Sequence, residues 1–131
     1  MKLASSYVLL LTQQTEDLHG LEFLLERLRC AVEIVTTPDQ AVDRVRRNPP
    51  CLVIVQGNYR IWSKKLFHTL RAIADVDNIT LVALTDAHAP SWLHQDENPG
   101  FDGFLVNPLS SDVLFSLIQS ASARQLCRAA N

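Results

Sequence analysis

The stretch that decides the fold is CLVIVQGNYR, Cys51 to Arg60. Cys51–Val55 is apolar at successive positions rather than at alternate ones, the mark of a strand buried on both faces, as in a parallel sheet. The run stops at Gln56, and Gly57-Asn58 opens a loop. In an α/β sheet, ligands bind and reactions occur outside the carboxyl ends of the strands. An uncharged glutamine stands at that place here, where a reactive group is expected.

Working outward, the same alternation recurs on both sides. Tyr7–Thr12, Val32–Thr36, Ile79–Thr85 and Gly103–Pro108 read as four more strands, and Glu33 in the second of them suits an edge position. Helix-period segments lie between them. Leu18, Leu21, Leu24, Leu25 and Leu28 share one face of the first, with Thr15 as N-cap and Glu16 and Asp17 at the positive end of the helix dipole. Thr37-Pro38 followed by Gln40 predicts a capping box that starts the second, and Asn48-Pro49-Pro50 ends it. The third spans about Ile61 to Ala74 with Leu66, Phe67, Leu70 and Ile73 inward. HAPSWLHQDENPG, His88 to Gly100, predicts a short or irregular helix. The last helix starts near Ser110, with Val113, Leu114, Leu117, Ile118 and Ala121 on its inner face. From about 122 to 131 the apolar pattern fades, as a frayed helix end or the start of a connector to a further domain. Strands alternating with helices mean a parallel sheet covered on both faces, and right-handed crossovers make it doubly wound.

Composition bounds the function. The chain has 131 residues, 47% hydrophobic and 20% charged, which suits a single domain spanning 1–131 with a real core. A net charge of −2 is not the footprint of a nucleic-acid binder. The basic clusters Arg44–Arg47 and Arg60–Lys65 read as solvated helix faces. Cys30, Cys51 and Cys127 are odd in number and far apart, which predicts free thiols in a reducing compartment. No apolar run reaches membrane-spanning length and no signal peptide is recognisable, so a cytoplasmic location away from membranes is expected.

The usual catalytic signatures are missing. The turn after the first strand, TQQTED, has no glycine, which excludes a P-loop and a dinucleotide fingerprint, and there is no GxSxG elbow. No Cys/His pair has zinc spacing, and His88 and His94 with Asp86, Asp96 and Glu97 read as a polar loop rather than a metal site. DLHGLE, Asp17 to Glu22, is similar to the cobalamin-binding DxHxxG pattern but carries Glu22 where that pattern needs glycine.

Taken together, the strand ends resemble the receiver domain of two-component response regulators, over Tyr7 to about Ala123. A receiver has an acidic pair after its first strand, a phosphorylatable aspartate after the third, Thr/Ser after the fourth and Lys-Pro after the fifth. The matching positions are Thr12 and Gln13, Gln56, Thr85, and Asn107-Pro108. PGFDGFLVNP is similar to the family's AGADDYLTKP, and Phe104 falls on its aromatic switch position. The loop after Gln56 lacks the usual proline and glycine. The resemblance implies a flavodoxin-like five-stranded sheet in the order 2-1-3-4-5, and a cis bond before Pro108.

The departures carry the functional reading. A receiver needs a carboxylate nucleophile that becomes an acyl phosphate, and the neutral amide of Gln56 cannot supply one. Magnesium relies on one or two carboxylates, and Thr12, Gln13 and Gln56 offer none. Asn107 brings no ammonium, and Thr85 reads as a backbone-bonding strand end. The resemblance therefore implies a pseudo-receiver: no catalytic residue, no metal, no cofactor, and an output through protein contact. The partner, another protein or a second copy, is expected on the face made by the helix before the fifth strand, that strand and the last helix, about Pro90 to Arg124. Trp92, Leu93, Phe104 and Pro108 are its candidate residues. Covalently linked effector or kinase domains fit the same reading. The alternative is a small-ligand or redox-cofactor sensor that uses the strand-end pocket, with a ring under Trp62 or Trp92.

Overall fold

A computed structural model describes residues 7–13, 19–56, 64–86, 101–107 and 110–129. It contains β1 (Tyr7–Leu11), α1 (His19–Arg27), β2 (Ala31–Val35), α2 (Pro38–Arg47), β3 (Leu52–Gln56), α3 (Lys64–Asp77), β4 (Thr80–Asp86), β5 (Gly103–Asn107) and α4 (Ser111–Ala129). All strand pairings are parallel, in the order β2-β1-β3-β4-β5. The doubly wound sheet and strand order expected from the sequence are both present.

The pleat divides the core into two layers, because successive side chains leave opposite faces of a strand. Leu9, Leu11, Val53, Val55, Leu81 and Ala83 pack with Ala41 and Val45 of α2 and Leu66, Phe67, Leu70 and Ala74 of α3. Val8, Leu10, Leu52, Ile54, Val82 and Leu84 pack with Leu21 and Leu25 of α1 and Leu114 and Ala121 of α4. β1 is buried from end to end, and β3 as far as Val55, so neither strand could alternate apolar with polar residues. β2 is the edge strand that Glu33 implied, and Glu33 forms an ion pair with Arg44 of α2.

Helix ends follow their local chemistry, with some corrections. Thr37 caps α2: its hydroxyl accepts from the Gln40 N–H at 3.2 Å, and Pro38 opens the helix. Gln40 reaches back to the N–H of Thr36 rather than of the cap itself, so the reciprocal half of the capping box is shifted by one residue. α3 runs three residues beyond the expected end, to Asp77, because what stops it is not the apolar pattern but Asn78 at φ 56°, with the Ile79 N–H closing back on the Ala74 carbonyl. Arg29 at φ 57° ends α1 in the same way, with the Cys30 N–H bonded to the Leu25 carbonyl.

Val113 is not inward as expected: it is 52% exposed. The buried row of α4 is Leu114, Ala121 and the partly buried Leu117 and Ile118, and one residue back from Leu114 turns the side chain about 100° away from it. Ser110 caps this helix, its hydroxyl accepting from the Val113 N–H at 3.2 Å. Where the apolar pattern fades, α4 nonetheless stays helical to Ala129. Thr15, the start of the third helix at Ile61 and the irregular helix of 88–100 lie outside the described residues.

Thr37→Ala should cost about 1 kcal/mol, because it leaves the first turn of α2 without its cap. That corresponds to a fall of about 3–5 °C in a thermal melt of a domain this size.

Candidate functional site

The site is built by register. Leu11 pairs with Val35 on one side and Val55 on the other, so Thr12 and Gln56, one residue further along β1 and β3, emerge side by side. Gln56 in turn pairs with Leu84, Thr85 with Val106, and Asp86 with Asn107. The four strand ends singled out in the sequence thus lie on one edge of the sheet. Thr85 is one row beyond Gln56 and Asn107 two rows beyond. Asp86, expected in a loop, is the last residue of β4, because pairing with β5 extends that strand past Thr85.

At the centre, the Thr12 hydroxyl donates to Gln56 Oε1 at 2.8 Å. Thr12 is 1% exposed and its N–H bonds the Val35 carbonyl at 3.1 Å, so its hydroxyl is held in place by the edge of the sheet. Gln56 is partly buried and Gln13 exposed. The pair is neutral: a hydroxyl that would be costly to bury unpaired meets an amide oxygen that would also be costly.

This donor set does not fit magnesium, which the fold would otherwise lead one to expect. Thr12, Gln13 and Gln56 have hydroxyl and amide groups only, where a magnesium site relies on carboxylate oxygens. Among the described residues no group of three or more His, Cys, Asp or Glu could hold a metal ion. The pairing of Thr12 with Gln56 was not anticipated as a contact. The signal was available in the equal lengths of the two apolar runs, which fix the same register at both strand ends.

The rest of the candidate surface is less fully placed. Phe104, the second residue of β5, pairs along the backbone with Ala83. Trp92, Leu93 and the Asn107–Pro108 bond lie outside the described residues. Two large apolar side chains of α4, Val113 and Phe115, are exposed, as is Phe23 of α1, whose ring lies 5.7 Å from the Arg27 guanidinium.

Comparison with solved structures places this architecture. The response regulator receiver domain protein from Clostridium thermocellum superposes with a TM-score of 0.71 at 18% identity, covering 93% of this chain and 98% of its own. The receiver domain protein from Methanospirillum hungatei gives 0.67 at 16%, covering 94% and 98%. A two-component response regulator from Clostridium difficile gives 0.66 at 16%, covering 91% and 97%. The chain has the receiver-domain fold. No family model and no curated protein matches the sequence. At these identities the receiver fold is shared through its layers and register, while the strand-end chemistry has to be read from this chain's own residues. Among the described residues, no helix is long and apolar enough to cross a membrane.

Among the described residues, two thiols lie away from full solvent exposure. Cys51 is fully buried, and Cys30 is half-buried, its pKa pushed up to about 11 by burial and, secondarily, by the neighbouring Cys51 thiol. The folded pKa exceeds the ordinary 9.0, so this group's contribution to stability is intact below pH 9 and is lost as pH rises from 9 to 11. Alkylation of native protein at pH 8 should therefore be slow at Cys30 relative to a denatured control, and faster only above that window.

A double-mutant cycle on Thr12→Val and Gln56→Met should give a coupling of about 1 kcal/mol in denaturant unfolding, the net worth of one partly buried hydrogen bond. Additive effects would show that the two side chains do not support one another.

Proposed function

We propose that this domain is a pseudo-receiver: a non-phosphorylatable regulatory module of two-component type that works by protein contact. The observation that carries the reading is the Thr12–Gln56 hydrogen bond, which places a neutral, paired hydroxyl and amide at the sheet edge where the receiver resemblance calls for acids. An acyl phosphate forms on a carboxylate oxygen, with the phosphoryl donor's leaving group expelled. An amide is a poor nucleophile, and Gln56 has no carboxylate to offer. With Asn107 where the resemblance calls for lysine, that position offers no cation to pair with a phosphoryl group.

On this reading the retained fold serves as a docking unit. Its partner face runs over β5 and α4 and includes the 90–100 segment with Trp92 and Leu93, together with Phe104 and Pro108. The exposed Val113 adds an apolar group on α4 to that face. The partner is another protein, a second copy, or an effector or kinase domain carried on the same chain, in the cytoplasm.

The test is incubation with acetyl phosphate, with and without magnesium, followed by intact mass. No labile gain of one phosphoryl group is expected. A gain that disappears in Gln56→Ala would overturn the proposal, since it would locate a reaction at the position read as inert.

A further inference from the structure

A row of charges of alternating sign, Asp75, Arg71, Asp102 and Arg124, passes around the border of the sheet from one helical layer to the other. α3 packs against one face of the sheet and α4 against the other, so the sheet itself separates them. β5 is the last strand in the order, and Asp102 immediately precedes it. Arg71 of α3 engages Asp75 one turn along, through Nε at 3.1 Å and one terminal nitrogen at 2.9 Å. Its other terminal nitrogen donates to Asp102 Oδ1 at 3.1 Å. Arg124 of α4 approaches Asp102 Oδ2 at 3.5 Å. One carboxylate thus meets an arginine from each layer.

Asp102 is placed by the sheet as well as by the arginines. Its N–H donates to the Leu81 carbonyl at 2.7 Å, and its Oδ2 accepts from the Leu81 N–H at 2.8 Å. Backbone and side chain together close a ring on Leu81, one residue before the first β4–β5 pair, Val82 with Gly103. Phe101, the residue before Asp102, is buried and packs edge-on against Phe67 of α3, with ring centroids 5.4 Å apart. The carboxylate is therefore a fixed point between two long, jointed side chains. The Arg71 and Asp102 side chains are 21% and 28% exposed, so solvent and salt screen their attraction less than that of a surface pair. A single surface ion pair adds little to stability, but charges that share a partner act on one another as well as on it.

We propose that Asp102 couples α3 to α4 around the border of the sheet. Through this carboxylate the two layers are held in one relative placement, and a change at Arg71 is felt at Arg124. Displacing α3 moves a positive charge at Oδ1, which alters the field that Arg124 meets at Oδ2. The coupling is reciprocal, as any linkage between two sites must be. It is independent of what the Thr12–Gln56 end of the sheet does, and holds for any output of the domain.

A double-mutant cycle of Arg71→Met and Arg124→Met in the full chain tests it, by denaturant unfolding in the parent and again in Asp102→Asn. Methionine keeps an unbranched apolar stem and removes the charge. Asparagine keeps a carbonyl oxygen for the Leu81 N–H and removes the charge on which both arginines converge. In the parent, the two substitutions should be non-additive by about threefold or more in the unfolding equilibrium constant; in Asp102→Asn they should be additive. A smaller departure from additivity in the parent would overturn the proposal. So would non-additivity that persists in Asp102→Asn, since it would reveal another route between the layers. If Asp102→Asn does not fold, amide chemical shifts decide in its place. Arg71→Met should then move the amide signals of Arg124 and Gln125, and unmoved signals overturn the coupling.

Discussion

The constraint on which everything else depends is that β1 and β3 have no exposed face. Helices cover the sheet on both sides, so Tyr7–Leu11 and Leu52–Val55 must be apolar at every position. Polar side chains can therefore enter the middle of the sheet only at strand ends, where the layers open. The location of the Thr12–Gln56 pair is a consequence of that rule. Two adjacent buried strands that stop in register deliver their first polar residues to the same point, and there the two groups must satisfy each other or water.

The same rule acts at the amino ends of the strands. There the polar groups are Asp102, Thr80, Asn78 and the Pro50 carbonyl, and the end of α4 covers them. Asn48-Pro49-Pro50 explains part of this. It ends α2 and turns the chain into β3, and two successive prolines leave a segment with carbonyls but no N–H of its own to offer. The Gln125 amide supplies a donor to one of those carbonyls. The domain thus has two polar poles of different character: a neutral side-chain pair at one end, and charged and backbone groups bridged by a helix at the other.

Much of this was legible from residues alone, for reasons that differ from element to element. The strands were plain because uninterrupted aliphatic runs of this length have few other uses in a short chain, and Glu33 marked the edge because an edge strand leaves room for its ion pair with Arg44. Thr37-Pro38 declared the start of α2 through stereochemistry that needs no tertiary partner. The ends of α1 and α3 were not legible, because Arg29 and Asn78 stop them by adopting positive φ, and arginine gives no local warning of that. Val113 was misplaced because it stands four residues before Leu117 and so fits the apolar spacing, while lying at the outer edge of the buried face at 52% exposure. Just beyond Ala121, Arg124 and Gln125 bond to Asn78, Pro50 and Asp102, partners far away in the chain, which a local apolar pattern could not reveal. At the site, the residue types were readable but the Thr12–Gln56 bond was not, since it belongs to the register between two strands.

A neutral site also limits how the domain can respond to a signal. A charged cluster stores repulsion that a bound cation or a covalent phosphoryl group can relieve, and that difference can drive a change of shape. Thr12 and Gln56 hold no such repulsion: their hydrogen bond is formed between uncharged groups, and neither titrates in the physiological range. A conformational equilibrium shifts only by the difference in a ligand's affinity for its two states. Between Thr12 and Gln56 there is no charge to be neutralised, so at this pair that difference has to arise from contacts made elsewhere. The surfaces that offer such contacts are the exposed apolar groups of α4 and the polar attachments at its far end. α4 is the element that spans both, with Leu114 and Ala121 buried along its first part and Arg124 and Gln125 bonded to Asn78 and Pro50 further on.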